Sequence, residues 1–354
     1  MNLWEDKIRK ISPYTPGEQP PIKDIIKLNT NESPYPPSPA TIKALKDFDY
    51  SALRLYPSFK CDSLKEALIY NYGFKKTQYF LGNGSDEVIA LCFMAFFNSQ
   101  KPILFPDITY SFYDVWCNLY NIPFSKIPLN DSFEINKEDY YKENGGIIIA
   151  NPNAPTGIYM PLDQIEEIIK ANRDVIVIID EAYIDFGGSS AMSLVDKYDN
   201  LVIVQTFSKS RALAGIRVGY AIANEELITA LETIKNSFNS YTLNSLSQAV
   251  ATASALDKSY FNTCLEQIIE ARSWTTLELS KLGFKTLDSS ANFIFTTNPL
   301  INTKELFDYL NSKKIIVRYF DKPRINNYLR ITIGTMEQMQ LLIKAISEFV
   351  DKLL

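Results

Sequence analysis

Leu201-Val202-Ile203-Val204-Gln205-Thr206-Phe207-Ser208-Lys209 is the stretch whose reading decides the fold. An unbroken apolar run rich in β-branched residues, without polar alternation, marks a strand buried on both faces, as in a parallel sheet covered by helices. The run ends in hydroxyls and one amine, and Arg217 follows shortly after. A lysine amine, two hydroxyls and an arginine at the carboxyl end of a strand suit an aldehyde that carries a phosphate. A Ser-Lys pair after a strand is also the ordinary sequence of an exposed turn, so the neighbouring segments must decide between the two.

Working backwards from this strand, residues 175–179 form a second continuous apolar run, and residues 146–150 and 102–106 are strand-like. Helical patterns at 110–119 and 162–171 alternate with them, and residues 218–222 read as one more strand. The expected class is α/β, with a large domain whose mostly parallel central sheet is sandwiched by helices. Further back, helices are expected at 40–48 and 62–72, the latter with Asp62 as its cap.

Residues 225–282 read as largely helical, interrupted near Ser240-Tyr241. Beyond Gly283 the texture becomes α+β. Strands at 293–296, 315–318 and 330–333 frame helices near 304–311 and 336–352. The expected organisation is therefore an arm of residues 1–35, a large domain of 36–270 and a small domain of 271–354. The arm holds Ser12-Pro13-Tyr14-Thr15-Pro16-Gly17, and prolines at this density block helix and central strand alike. Its apolar anchors are Trp4, Ile8, Ile11 and Tyr14, so it is expected to borrow a core from elsewhere, such as a second subunit.

Composition excludes several classes. The 354 residues, 46% hydrophobic and 22% charged, describe a globular chain with a sizeable core. A net charge of −5 argues against a broad nucleic-acid or anionic-membrane surface. No apolar run approaches the roughly 20 residues that span a bilayer. Met1-Asn2-Leu3-Trp4-Glu5-Asp6-Lys7 carries acidic residues and no apolar core, unlike a secretion signal. Cys61, Cys92, Cys117 and Cys264 are too scattered for a metal site and read as reduced, buried thiols, so no metal and a cytoplasmic location are expected. The chain contains 0 histidines, which removes Ser-His-Asp and Cys-His triads and any imidazole base. Proton transfer falls to Lys, Asp, Glu, Tyr or Cys.

Ligands of open parallel sheets bind at the carboxyl ends of the strands. Polar sets stand at these ends: Asn151-Pro152-Asn153-Ala154-Pro155-Thr156-Gly157, Asp180-Glu181-Ala182-Tyr183 and Thr206-Phe207-Ser208-Lys209. Upstream, Leu81-Gly82-Asn83-Gly84-Ser85-Asp86-Glu87 opens an apolar helix whose free amides suit an anion, a plain cap by Ser85 or Asp86 being the competing reading. Arg217 sits in apolar surroundings, where a bound dianion or an internal carboxylate would be its partner.

At these residues the sequence resembles the fold-type I pyridoxal phosphate (PLP)-dependent aminotransferases, and among them the histidinol-phosphate aminotransferases. The resemblance runs from Ser12-Pro13-Tyr14 through Leu28-Asn29-Thr30-Asn31-Glu32, Arg54-Leu55-Tyr56-Pro57 and the strand-end sets to Leu213-Ala214-Gly215-Ile216-Arg217-Val218-Gly219 and Leu329-Arg330-Ile331-Thr332-Ile333-Gly334-Thr335. It implies that Lys209 links to the cofactor and moves a proton between cofactor and substrate. Asp180 would pair with the pyridine nitrogen, Tyr183 would hydrogen-bond the phenolic oxygen, and Tyr110 would stack on the ring. Gly84, Ser85, Asp86, Thr206, Ser208 and Arg217 would hold the phosphate.

The resemblance also implies that Tyr56 reaches the cofactor phosphate of a neighbouring subunit, making a homodimer with shared sites. Arg330 would bind the substrate phosphate or carboxylate, assisted by Arg318, Tyr14 and Asn31; a solvated Arg318 is the plainer alternative. One position departs from the pattern. Related chains carry asparagine before Pro-Thr-Gly, but this one has Ala154, so Asn153 or Asn151 substitutes, or Tyr183 works without it. The implied reaction is transamination between L-histidinol phosphate and 2-oxoglutarate. An aromatic-amino-acid aminotransferase and a PLP-dependent lyase such as a threonine-phosphate decarboxylase share much of the motif set.

Overall fold

A computed structural model describes residues 2, 4–19 and 24–352. Strand β1 spans Ile26–Lys27, and β2 (Tyr79–Gly82), β3 (Ile103–Pro106), β4 (Phe124–Ile127), β5 (Ile147–Ala150), β6 (Val177–Asp180), β7 (Leu201–Thr206) and β8 (Gly219–Ala223) follow. The last seven form one sheet in the order β2-β8-β7-β6-β5-β3-β4. Strand β8 alone runs antiparallel to its neighbours. The other adjacent pairs are parallel.

The pleat explains the continuous apolar runs. Ile147, Ile149, Val177, Ile179, Leu201 and Ile203 enter one core, while Ile148, Ile178, Val202 and Val204 enter the core on the opposite face. Helices α1 (Pro39–Lys46), α2 (Asp62–Tyr72), α3 (Ser85–Phe96), α4 (Phe112–Tyr120), α5 (Leu162–Ala171), α6 (Glu225–Phe238), α7 (Ser245–Leu256) and α8 (Lys258–Lys281) succeed one another along the chain. Leu64 and Leu68 of α2, Ile165 and Ile168 of α5 and Val250 of α7 cover the first face. Phe93 of α3, Trp116 of α4 and Leu231 of α6 cover the second. This is the sandwiched sheet that the sequence predicts.

The stretch expected to be helical with one interruption is three helices. Side-chain oxygens of Asn224, Asn244 and Asp257 accept from the amides of Leu227, Ser247 and Tyr260, so each helix starts on its own polar cap. Asp62, expected as a cap, is instead the first helical residue of α2; Cys61 precedes it at φ 50°.

After α8 come β9 (Lys285–Thr286), β10 (Phe293–Thr297), helix α9 (Thr303–Ser312), β11 (Ile315–Ile316), β12 (Arg318–Tyr319), β13 (Leu329–Thr332) and helix α10 (Met336–Val350). Strands β12-β13-β10-β9 form a four-stranded antiparallel sheet, and β11 pairs in parallel with β1. The expected strand at 315–318 is thus split between two sheets. Leu28, Ile268, Ala271, Leu279, Ile294, Ile331 and Ile346 share a separate core. Position 270 lies inside α8, which runs unbroken beneath this core.

In the arm, the Tyr14 ring stacks on Phe112 with centroids 4.2 Å apart. Trp4, Ile8 and Ile11 stay exposed. All four cysteines are free and buried. Burial pushes the thiols of Cys61 and Cys117 up to about 11 and about 12.

Candidate functional site

The carboxyl ends of β6 and β7 and the start of α3 meet in a cavity of about 370 Å³ lined by Ser85, Asp86, Asp180, Ser208 and Arg217 among others. A second cavity, of about 210 Å³, adjoins it and is lined by Tyr14, Asn31, Arg318 and Arg330. Thr30, Tyr110, Tyr183 and Lys209 line both. A larger depression of about 780 Å³, lined by Lys75, Arg173, Asp199 and Glu225, sits at the opposite ends of the strands and holds none of these groups.

Lys209 Nζ donates to the carbonyl of Thr30 at 3.2 Å and stands 5.7 Å from the centre of the Tyr183 ring. Among the described residues no carboxylate pairs with it within 4 Å. Its one hydrogen-bond partner among the described residues is therefore a neutral carbonyl.

Asp180 is 5% exposed. Its Oδ2 accepts from the Tyr113 hydroxyl at 2.8 Å and its Oδ1 from the Ala182 amide at 3.2 Å. Burial dominates and pushes the carboxyl up to about 6, against the opposing pull of these two bonds. No cation among the described residues pairs with it, so a cationic ligand nitrogen would complete it.

The start of α3 has no side-chain cap, contrary to the reading of Ser85 or Asp86 as a plain cap. Gly84 precedes it at φ 84°, and a Cβ there would lie 2.5 Å from Arg217 Nη2. A Cβ on Gly219 would lie 2.4 Å from the Ser85 amide nitrogen, so β8 can cross the helix start only at a glycine. This crossing brings Arg217 beside the open amides. Arg217 also has an internal carboxylate: Asp86 pairs with its Nη2 at 3.0 Å while accepting from the Tyr110 hydroxyl at 2.8 Å. Both charged side chains are about two-fifths exposed, so the pair is weak and displaceable. Ser208 Oγ accepts from Arg217 Nη1 at 3.4 Å.

In the second cavity Arg330 lies between the rings of Phe293 and Phe320, with its guanidinium carbon 5.4 and 5.6 Å from their centres. Its Nη2 donates to the Asn29 carbonyl at 2.8 Å, and its buried Nε has no partner among the described residues. Burial lowers its pKa. A desolvated guanidinium without a carboxylate calls for an anionic ligand. Asn31 reaches Tyr183, its Nδ2 donating to the hydroxyl at 3.0 Å.

Two expected cofactor contacts, those of Asn153 and Thr206, are placed differently. Asn153 is turned away from both cavities: its amide donates to the Ile108 carbonyl and Thr156, and its oxygen accepts from Thr109. Asn151 is equally committed, to the backbone of Met160. Neither side chain replaces the asparagine missing at Ala154. Thr206 does not line the cavity; its hydroxyl bonds Ser208 Oγ at 3.0 Å and so holds that residue from behind. Tyr56 is 83% exposed and stacks on Tyr241, outside both cavities. Tyr113 and the Thr30 carbonyl were not singled out from sequence. For Tyr113, in the first turn of α4, the signal is its place three residues after Tyr110, which precedes that helix.

The chain belongs to the class I and II aminotransferases, whose family pattern it matches over residues 23–346. The similarity is closer than the class. It is 51% identical over 346 residues to the histidinol-phosphate aminotransferase of Lactococcus lactis subsp. cremoris strain MG1363, covering 98% of this chain and 97% of that one. It is 52% identical over 345 residues to histidinol-phosphate aminotransferase 1 of Hydrogenovibrio crunogenus, covering 98% and 97%. The fold also matches the crystal structure of histidinol-phosphate aminotransferase from Sinorhizobium meliloti in complex with pyridoxal 5'-phosphate, with a TM-score of 0.84, 22% identity and coverage of 93% and 92%.

Proposed function

We propose that the protein transfers the amino group of L-histidinol phosphate to 2-oxoglutarate, giving imidazole-acetol phosphate and L-glutamate. The observation that carries this reading is the joining of two anion sites through one free amine. Arg217 and the uncapped start of α3 lie on one side of Lys209, and the carboxylate-free Arg330 lies on the other. Full-length identity of about one half to histidinol-phosphate aminotransferases supports the choice of substrate.

The donor set fits PLP, which supplies an aldehyde carbon and an electron-accepting ring when bound. Lys209 would be the attachment point and would then take the proton from the substrate carbon that bears the amino group and deliver it to the cofactor's aldehyde carbon. Asp180 would hold a proton on the ring nitrogen, and that ion pair would offset its desolvation. Tyr183 donates toward the phenolic oxygen. The amides of Ser85 and Asp86, the Ser208 hydroxyl and Arg217 hold the phosphate, with Gly84 giving the room that Arg217 occupies. Tyr110, which lines both cavities, would cover the ring. Arg330, with Arg318 and Tyr14, binds the substrate phosphate in one half-reaction and a carboxylate of 2-oxoglutarate or glutamate in the other, so one cationic pocket serves both.

The proposed assembly is a homodimer in which Tyr56 reaches the partner's phosphate site, and the proposed location is the cytoplasm. The proposed division is an arm of 1–35 joining the small domain, a cofactor-holding domain of 36–270 and a small domain of 271–354; the separate cores support two domains, with Leu28 of the arm and Ile268 of α8 both in the small core. No helix among the described residues is long and apolar enough to cross a membrane.

The test is to supply the purified protein with PLP, 2-oxoglutarate and, in separate assays, L-histidinol phosphate, phenylalanine or threonine phosphate, and to measure glutamate and carbon dioxide. Glutamate formed faster from histidinol phosphate, without carbon dioxide, and lost in Lys209→Ala, is the expected result. Preference for phenylalanine would remove the substrate assignment, and carbon dioxide release would replace transamination by decarboxylation.

A further inference from the structure

The position that lacks its asparagine leaves Tyr183 as the hydroxyl facing Lys209, and a tyrosine has only one proton to give. Where that proton points is fixed by a short chain of bonds. The Asn31 backbone N–H can only donate, and it donates to Thr332 Oγ1 at 2.9 Å. Thr332 Oγ1 accepts there, and because the residue is 2% exposed and Asn31 Oδ1, at 3.0 Å, is the only partner its own proton has among the described residues, the hydroxyl donates to that oxygen. That bond assigns the two ends of the Asn31 amide, which leaves Nδ2 as the group 3.0 Å from the Tyr183 hydroxyl. Tyr183 accepts from Asn31, and its own proton is left for an acceptor in the cavity.

The frame around Asn31 is rigid. The residue is 2% exposed and adopts φ 57°, a left-handed conformation that asparagine tolerates. Asn292 Nδ2 donates to its carbonyl at 3.0 Å, and the Thr332 amide donates to the Leu28 carbonyl at 2.9 Å, so strand β13 and the loop cannot slip past each other.

We infer that Asn31, oriented by Thr332, is a positioning residue that commits Tyr183 to donate its proton into the cavity, so that one tyrosine supplies the donor that Ala154 cannot. This rests on the proposed PLP site and adds to it the residues that set the direction of one bond. The acceptor is the anionic phenolic oxygen of the cofactor. Without the Thr332 hydroxyl the Asn31 oxygen loses its donor, and the amide gains by turning that oxygen toward Tyr183. The Tyr183 proton is then drawn away from the cavity. A phenolic oxygen deprived of its donor holds the neighbouring proton at the lysine linkage more tightly, so that proton is lost at higher pH. The charged and titratable groups that face the Lys209 linkage and Tyr183 are Glu32, Asp180, Arg330, Tyr14, Tyr110 and Tyr113. All of them are unchanged in the variants below, except in that background where Tyr183 itself is replaced.

The experiment is a visible-absorbance pH titration of the PLP-loaded enzyme and its variants. Thr332→Val, which deletes the hydroxyl and keeps the shape, is expected to raise the midpoint by about one pH unit. Thr332→Ser, which restores the hydroxyl, is expected to return it to the wild-type value. Asn31→Gly, which suits the left-handed backbone, removes the amide that directs the Tyr183 proton without leaving a competing acceptor, so it is expected to raise the midpoint by less than Thr332→Val, and it serves if the valine chain does not fold. In a Tyr183→Phe background, Thr332→Val is expected to add nothing. A wild-type midpoint in both Thr332→Val and Asn31→Gly, or an equal further shift in the Tyr183→Phe background, overturns the inference while leaving the PLP site intact. A wild-type protein that gains no visible band with PLP overturns the cofactor reading and this inference together.

Discussion

Asp180 is a carboxylate withdrawn from water with no cation of its own, and that makes it a destabilising residue until a ligand arrives. Its folded pKa of about 6 lies above the ordinary value of 3.8. At the low end of the carboxylate range both folded and unfolded chains hold the proton. As pH rises toward 6 the unfolded chain releases it first, so cofactor-free stability falls by about 3 kcal/mol and is then level. Glu181, pushed up to about 7 by burial, has the same sign. Asp180→Asn can keep both bonds, with its amide donating to Tyr113 and its oxygen accepting from Ala182. Urea unfolding of the cofactor-free chain should therefore lose the Asp180 part of the pH slope, while turnover falls at least ~10²-fold, the scale of one removed electrostatic partner. Asp180, Lys209 and Arg217 were legible in the sequence because each stands at or beside a strand end. Asn31 and Thr332 were not legible as a pair, because their contact joins a loop near the start of the chain to a strand near its end.

The start of α3 shows how an element becomes a site by what it lacks. Its first turn carries Asp86 and Glu87 but no cap, and Gly84 keeps the approach clear for Arg217. Gly84→Ala puts a side chain at φ 84° and against the guanidinium. Denaturant unfolding should show a loss of about 1–3 kcal/mol. Fluorescence titration of the cofactor-free protein with PLP should show affinity weakened more than about tenfold. An unchanged affinity would mean that the helix start does not hold the phosphate. At this scale the sequence was read well where elements are long and apolar, as in α5, whose expected and observed limits coincide. It was read poorly at β4 and β9, whose Phe-Ser-Lys-Ile and Lys-Thr are too short and too polar to show a period. It was also read poorly where Asp257 alone separates α7 from α8.

For the molecule as a whole, Tyr50, Leu53, Leu55 and Tyr56 stand exposed in one short segment, a costly arrangement for an isolated subunit. Mixing inactive Lys209→Ala with a Tyr56→Phe chain of reduced activity should give hybrids more active than either parent alone, if Tyr56 serves its partner's site. Sedimentation should report a dimer, and a monomer with full activity would remove the shared-site reading. The division into a large and a small domain was visible in the change of texture after Gly283. The edge between its halves was not, since α8 continues through position 270 and lends Ile268 and Leu279 to the small core. The burial of all four thiols has a practical side. Maleimide dyes find no accessible native target on the folded surface. A cysteine placed at Thr15, next to the ring that stacks on Phe112, would carry the single label, turning the arm into an optical gauge of its own position during the reaction.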